Sequence, residues 1–227
     1  MPEAVPNSEL LHSLGRLVRG LSALFWGLPA ALIVCVGTAK AGWFDIYGVM
    51  PPMVTTGLLV FGLWQLDAFQ KQERPWRNAL DRAKIFALIS FGLSPFVFWW
   101  YHEPTVVLFS ISVNVLALSS WFLLFNLSTV LLRLGAMLPD ETLRHETRQF
   151  TSVNRILLLV LLLILASQAA LARISHVPEQ MANLVIWWER GVPWLVIFLG
   201  LLPLAMTMAL IWKTKEVIMD SVFGAKN

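Results

Sequence analysis

The stretch RILLLVLLLILA, residues 155–166, places one cation before eleven consecutive apolar side chains. Strands of a membrane barrel alternate apolar and polar residues, and this run does not alternate. Lipid offers no partners to backbone N–H and C=O groups, so an unalternating run satisfies them within a helix. Residues 155–166 therefore read as part of a membrane-spanning helix, and the question is how many similar segments accompany it.

Working outward, the run extends to about residue 173, and five further apolar segments stand at about 17–40, 52–69, 84–101, 105–132 and 191–212. A hydrocarbon core about 30 Å thick takes about 20 helical residues. The composition agrees: 57% of the 227 residues are hydrophobic and 14% are charged, against roughly 25% charged in soluble domains. The expected fold is all-α: a polytopic integral membrane protein forming one membrane domain over residues 1–227, a bundle of six transmembrane helices with no soluble domain.

Lys and Arg give the orientation, because short loops rich in them stay in the cytoplasm. With six crossings, Arg16, Arg19, Lys71, Arg74, Arg77, Arg82, Lys84, Arg133, Arg144, Arg148, Arg155, Lys213, Lys215 and Lys226 share one side, which is 14 of the 17 cations. Only Lys40, Arg173 and Arg190 fall opposite. Both termini are expected in the cytoplasm. Three aromatic clusters, at Trp43 to Tyr47, FWWYHEP (98–104) and WWERGVPW (187–194), fall on the outer side, where amphipathic rings suit the lipid headgroup level. Glu189 and Arg190 then read as interfacial rather than buried in hydrocarbon. The opening residues lack the pattern of a cleavable signal, so the first segment is expected to remain as a helix. Together with the short loops, this leads to an expected location in a bacterial inner membrane.

The longer connections, about 70–83 and 133–155, read as amphipathic extensions of the adjoining helices, lying on the cytoplasmic surface. Arg77 with Asp81, and Asp140 with Arg144, stand four apart, a spacing that allows modest ion pairs. GLSP (92–95) and GLLP (200–203) recur in the third and sixth segments; a true repeat of that kind would be inverted, as in many transporters. Ala23, Gly27 and Ala31 form a small-residue surface that lets another helix approach closely, with Pro29 beside it.

The strongest polar pattern lies in the fourth segment, where Thr105, Ser112, Ser119, Asn126 and Arg133 recur every seven residues. Seven residues make nearly two turns, so these side chains form a slowly drifting stripe that should face other helices or water. Asn114 lies off it. Asp67, with Gln65 nearby, stands at the inner end of the second segment, where Lys71 is a natural partner four residues on. Gln168 and Ser167 are expected to bond to a neighbouring helix. The outer residues His102, Glu103, His176, Glu179, Glu189 and Arg190 lack zinc-site spacing, and the four histidines lack a haem arrangement. No metal and no cofactor is expected.

Phosphate-loop, dinucleotide and nucleophile-elbow motifs are absent. The net charge of +3 is spread through connecting segments, without a nucleic-acid module. The single Cys35 excludes a disulfide framework within one chain. The expected function is a non-enzymatic scaffold, assembly or regulatory component, with the lipid bilayer, other membrane proteins or a second copy as partners. The alternative is a small-solute transporter or channel built on the stripe of the fourth segment.

Overall fold

Each apolar segment closes its backbone hydrogen bonds as a helix, and the helices run past the apolar limits. The computed structural model describes residues 8–69, 72–138, 141–171 and 179–223. In chain order these form α1 (Ser8–Ala41), a short 3-10 turn (Asp45–Tyr47), α2 (Met50–Leu66), α3 (Arg74–Leu93), α4 (Pro95–His102), α5 (Val107–Met137), α6 (Glu141–Leu171) and α7 (Glu179–Phe223). Among the described residues there is no strand.

Five spans are long and apolar enough to cross a membrane: His12–Ala41, Arg74–His102, Val107–Met137, Arg144–Leu171 and Arg190–Asp220. The shorter α2 is also apolar, with 17 residues. At 1.5 Å per residue it is about 25 Å long, near the lower limit for a crossing.

Local sequence explains where the helices start and break. Pro51 and Pro52 open α2, where a missing N–H costs nothing, and the hydroxyls of Thr55 and Thr56 donate to proline carbonyls one turn back. The third apolar segment is divided at Ser94, because Pro95 supplies no N–H for the ladder. The Ser94 hydroxyl donates to the Phe91 carbonyl at 2.8 Å across this joint. Pro203 causes no such division, since α7 continues through it, as α1 does through Pro29. The two GxxP echoes therefore differ in what they do to the chain.

Successive long helices run antiparallel, and their contacts fix the register. The α1/α2 crossing centres on Gly20 and Gly62: a Cβ on Gly20 would meet the Gly62 carbonyl oxygen at 2.7 Å. Gly27 continues that contact against Leu59, and Ala31 is buried beside it. Of the small residues anticipated in the first segment, Ala23 is only half-buried, and Gly20 occupies the tightest point instead. The turn after α1 requires glycine at Gly42, which has φ +58° and abuts the Tyr101 ring.

The bundle thus has two ends. At one, here the Trp76 end, Leu17, Leu21, Leu63, Leu66, Trp76, Leu80, Leu131, Leu134 and Ile218 are buried in a continuous core. At the other, the Tyr101 end, lie Trp43, Asp45, Tyr101 and His102. A small second core of Leu161, Ile164, Val192 and Leu199 joins α6 to α7, with Trp121 packed against it.

As their amphipathic spacing predicts, the connections are helical extensions of the spans. Arg74 to Ala83 belongs to α3, Arg133 to Met137 to α5, and Glu141 to Arg155 to α6. Their apolar faces are built into the core, as the full burial of Trp76 and Leu80 demonstrates.

Candidate functional site

The polar residues inside the spans were expected to form one stripe on α5, and that stripe divides. Ser112 and Ser119 are buried. The Ser119 and Ser90 hydroxyls are hydrogen-bonded at 2.8 Å, linking α5 to α3. Asn126 is half-buried and its amide donates to the Phe122 carbonyl on its own helix at 2.8 Å. Thr105, Asn114 and Arg133 are exposed. The division follows from geometry, since a heptad repeat drifts by about 20° per repeat on a straight helix. Over the length of α5 the buried positions instead follow the helical period: Ser112, Leu116, Ser119, Leu123, Leu127, Val130 and Leu134.

A denser polar group lies at the edge of the apolar segments, towards the Trp76 end, where α5, α6 and α7 meet. Asn154 of α6 is 3% exposed. Its amide donates to Ser128 Oγ of α5 at 2.7 Å and to Thr207 Oγ1 of α7 at 3.2 Å. Both hydroxyls pass their protons back to their own helices, Ser128 to the Leu124 carbonyl and Thr207 to the Pro203 carbonyl. A small recess, about the size of one water molecule, is lined by Ser128, Thr151, Asn154, Thr207 and the side chains of Phe150, Met206 and Leu210. Asn154 Oδ1 is buried and accepts no hydrogen bond from the described residues.

Sequence reasoning missed this group because Asn154 falls in the amphipathic extension 133–155, read as a surface-facing part of the helix. The signal was present: Thr151 and Asn154 stand three apart, facing the same way as Thr147 on a 3.6-residue period, and all three are buried.

Beside Asn154, Arg155 turns towards α5. One guanidinium nitrogen donates to Thr129 Oγ1 at 3.0 Å, and the group lies 5.4 Å from the centre of the Phe125 ring. Its Nε is buried and has no hydrogen-bond partner among the described residues.

Other cations at this end have defined partners. Lys84 pairs with Asp67 at 2.9 Å and approaches Asp81 at 3.6 Å. The anticipated partner Lys71 and the acid Asp140 lie outside the described residues. Lys213 pairs with Glu146, joining α7 to α6. Arg144 donates to the Ala136 and Leu138 carbonyls, where a basic side chain satisfies a helix C-terminus. Gln65 is half-buried against Gly20.

Further along the spans, Ser167 donates to the Ile164 carbonyl on its own helix, and Gln168 Nε2 is buried without a hydrogen-bond partner among the described residues. The expected bonds to a neighbouring helix are not made by the Ser167 hydroxyl or by this Gln168 nitrogen.

At the Tyr101 end, His102 Nε2 lies 3.2 Å from Asp45 Oδ1, and its Nδ1 lies 3.1 Å from the Phe98 carbonyl. Asp45, in the turn after α1, was not anticipated as its neighbour. Glu103 and Arg190 are exposed, and neither forms an ion pair among the described residues. The side chain of Glu189 and the residues Arg173 and His176 lie outside the described residues. Among the described residues no three His, Cys, Asp or Glu side chains form a metal-binding group.

The arrangement joins helices by hydroxyl and amide hydrogen bonds and presents cations at one end. No family model, curated protein or solved structure matches this chain.

Proposed function

We propose that this protein crosses a membrane six times, with the Trp76 end and both termini in the cytoplasm, and serves there as a non-enzymatic scaffold or assembly component. Its partners are the lipid bilayer and other membrane proteins or a second copy of itself. The ion pairs support the sidedness, since Asp67–Lys84 and Glu146–Lys213 each join residues assigned by sequence to the same end. The helical architecture favours a bacterial inner membrane over an outer one, whose spanning proteins are barrels. On this reading α2 is a sixth, short crossing, antiparallel to α1 along their glycine contact.

One observation carries the functional reading: buried hydroxyl and amide groups within the spans, Ser90, Ser119, Ser128, Asn154 and Thr207, bond one helix to another. Ser90 bonds Ser119, Asn154 bonds Ser128 and Thr207, and Asn126 bonds its own helix. Such bonds in membranes are worth about 0.6 kcal/mol on average, a stabilising contribution that favours definite helix packing. A solute path would instead need these residues turned towards a shared hydrated space.

The test replaces Cys35 with alanine and introduces cysteine singly at Ser112, Ser119 and Asn126. Protection of all three from a membrane-impermeant thiol reagent is expected. Rapid reaction of all three would transfer the assignment to a transporter or channel. The scaffold role further predicts that the protein, extracted in mild detergent, travels in an assembly larger than its own 25.6 kDa chain with its detergent. Elution as a single chain would contradict it.

A further inference from the structure

Arg155 is a permanently charged group at the edge of an apolar span, and its described partners carry no opposite charge. A hydroxyl and an aromatic face meet it on the protein side, and Nε is left without an acceptor. A guanidinium at the mouth of the hydrocarbon is costly unless it reaches an anion or water. Its charge-assisted N–H donors suit a phosphate, which would approach the terminal nitrogens because Nε is enclosed.

The surroundings extend the charge. Helices α5 and α6 run antiparallel, with Trp121 bonded to the Leu158 carbonyl, Thr129 to Arg155, and Gly135 against Thr147. Arg133 stands one turn beyond Thr129 on α5, and Arg148 stands two turns from Arg155 on α6. Both therefore fall at the same level, between the Thr129–Arg155 contact and the Gly135–Thr147 contact, along the edge of the α5/α6 groove. Both are exposed. None of the three arginines takes part in an ion pair among the described residues, whereas Lys84 and Lys213 do. Glu141, on the Arg148 face of α6, stands two further turns from the apolar span, about 10 Å away along the axis.

We infer that Arg155, Arg133 and Arg148 form a binding site at the α5/α6 groove for the phosphate of an anionic phospholipid of the inner leaflet. Arg155 holds the phosphate at the hydrocarbon edge, and the two exposed arginines add attraction from the aqueous side. Basic pockets between membrane helices on the cytoplasmic side bind acidic headgroups in this way. The inference rests on the sidedness proposed above, which a cysteine at position 148 tests separately by labelling from one face of oriented vesicles in the Cys35-free protein.

The experiment is native mass spectrometry of the full chain in detergent with equimolar phosphatidylglycerol and phosphatidylcholine of identical acyl chains. Preferential retention of phosphatidylglycerol is expected. Each of Arg155→Gln, Arg133→Gln and Arg148→Gln should weaken it about fivefold, as about 1 kcal/mol per interfacial cation implies. Arg16→Gln with Arg19→Gln, on the same proposed side but away from the groove, should leave it within about twofold. Arg148→Gln keeps the test independent of folding, since an exposed side chain can be exchanged without opening the core. Equal retention of the two lipids would overturn the inference. So would equal losses in the Arg16/Arg19 variant, which would signify a diffuse surface potential. Displacement of the lipid by millimolar inorganic phosphate would assign the site to the free anion and overturn the lipid assignment. Reaction of Arg148→Cys only from the outer face would overturn the sidedness and the inner-leaflet assignment, and retention of phosphatidylglycerol by the chain with Arg148 intact would then show that the proposed sidedness, not the phosphate contact, had failed.

Discussion

The Trp76 end and the middle of the bundle share an apolar interior and differ in what they expose. At the Trp76 end, beyond the apolar segments, Trp76, Leu80, Leu134 and Ile218 are buried while Arg74, Arg77, Arg82, Arg144 and Arg148 are exposed. This is the distribution of a water-soluble helical protein. Through the middle, hydroxyls such as Thr56, Ser90, Ser112 and Ser119 are buried, and Ile33, Val54, Phe61, Leu88, Ile111, Leu163 and Phe198 are exposed. The same helices pass through both regions, so the difference lies along each helix rather than between helices. On the six-crossing reading, water drives apolar side chains inward at the Trp76 end. In the middle lipid removes that drive and leaves close packing and hydrogen bonds to join the helices.

The largest expected effect therefore belongs to the water-facing region. Trp76→Ala should destabilise the protein by about 3–5 kcal/mol, the usual cost of removing a buried Trp. Phe198→Ala, at a side chain 63% exposed in the middle, should change stability by less than about 0.5 kcal/mol. Thermal unfolding in one detergent compares the two, and similar losses would erase the distinction.

Next comes the crossing of α1 and α2. Gly20→Ala would push a Cβ against the Gly62 carbonyl oxygen, an atom of the backbone that cannot rotate away. A loss of about 1–3 kcal/mol is expected, as for other overpacked contacts. Ala23→Val, at a half-buried neighbour, should cost less; the reverse order would shift the crossing to the small residues suggested by sequence.

A smaller effect is expected in the middle. A double-mutant cycle on Ser90→Ala and Ser119→Ala should give a coupling of about 0.6 kcal/mol. A coupling near zero would mean that the two hydroxyls do not hold α3 to α5.

The smallest effect concerns Asp67 and Lys84. This partly exposed ion pair should contribute about 0.2–1 kcal/mol and lose much of it in molar salt. Persistence of the full coupling at high salt would mean that the pair is shielded from water, against a solvated Trp76 end.

The sequence made the helical class and the apolar limits legible because runs such as residues 155–166 leave the backbone no alternative in lipid. The helical extensions carrying Arg74, Arg82, Arg144 and Arg148 were legible from their spacing, but their charges suggested a surface location, whereas the periodic Trp76, Ala79, Leu80 and Ala83 continue the buried face of α3. The site was legible only in part. A seven-residue count captured Ser112 and Ser119, but its drift carried Asn126 and Arg133 off the buried face. The three-helix group around Asn154 depends on residues far apart in the chain, brought together only by packing.

The most direct measurement is a cysteine scan along the exposed side of α3 in the Cys35-free protein, using oriented vesicles and a membrane-impermeant thiol reagent. Cysteines at Arg77, Asn78 and Arg82 should react from the cytoplasmic face, while those at Ile85, Leu88 and Ile89 should be protected by lipid, although all six positions lie on the surface of the bundle. Equal reaction along the whole series, or reaction of the first three only from the opposite face, would contradict a helix that passes from water into the bilayer at its cytoplasmic edge.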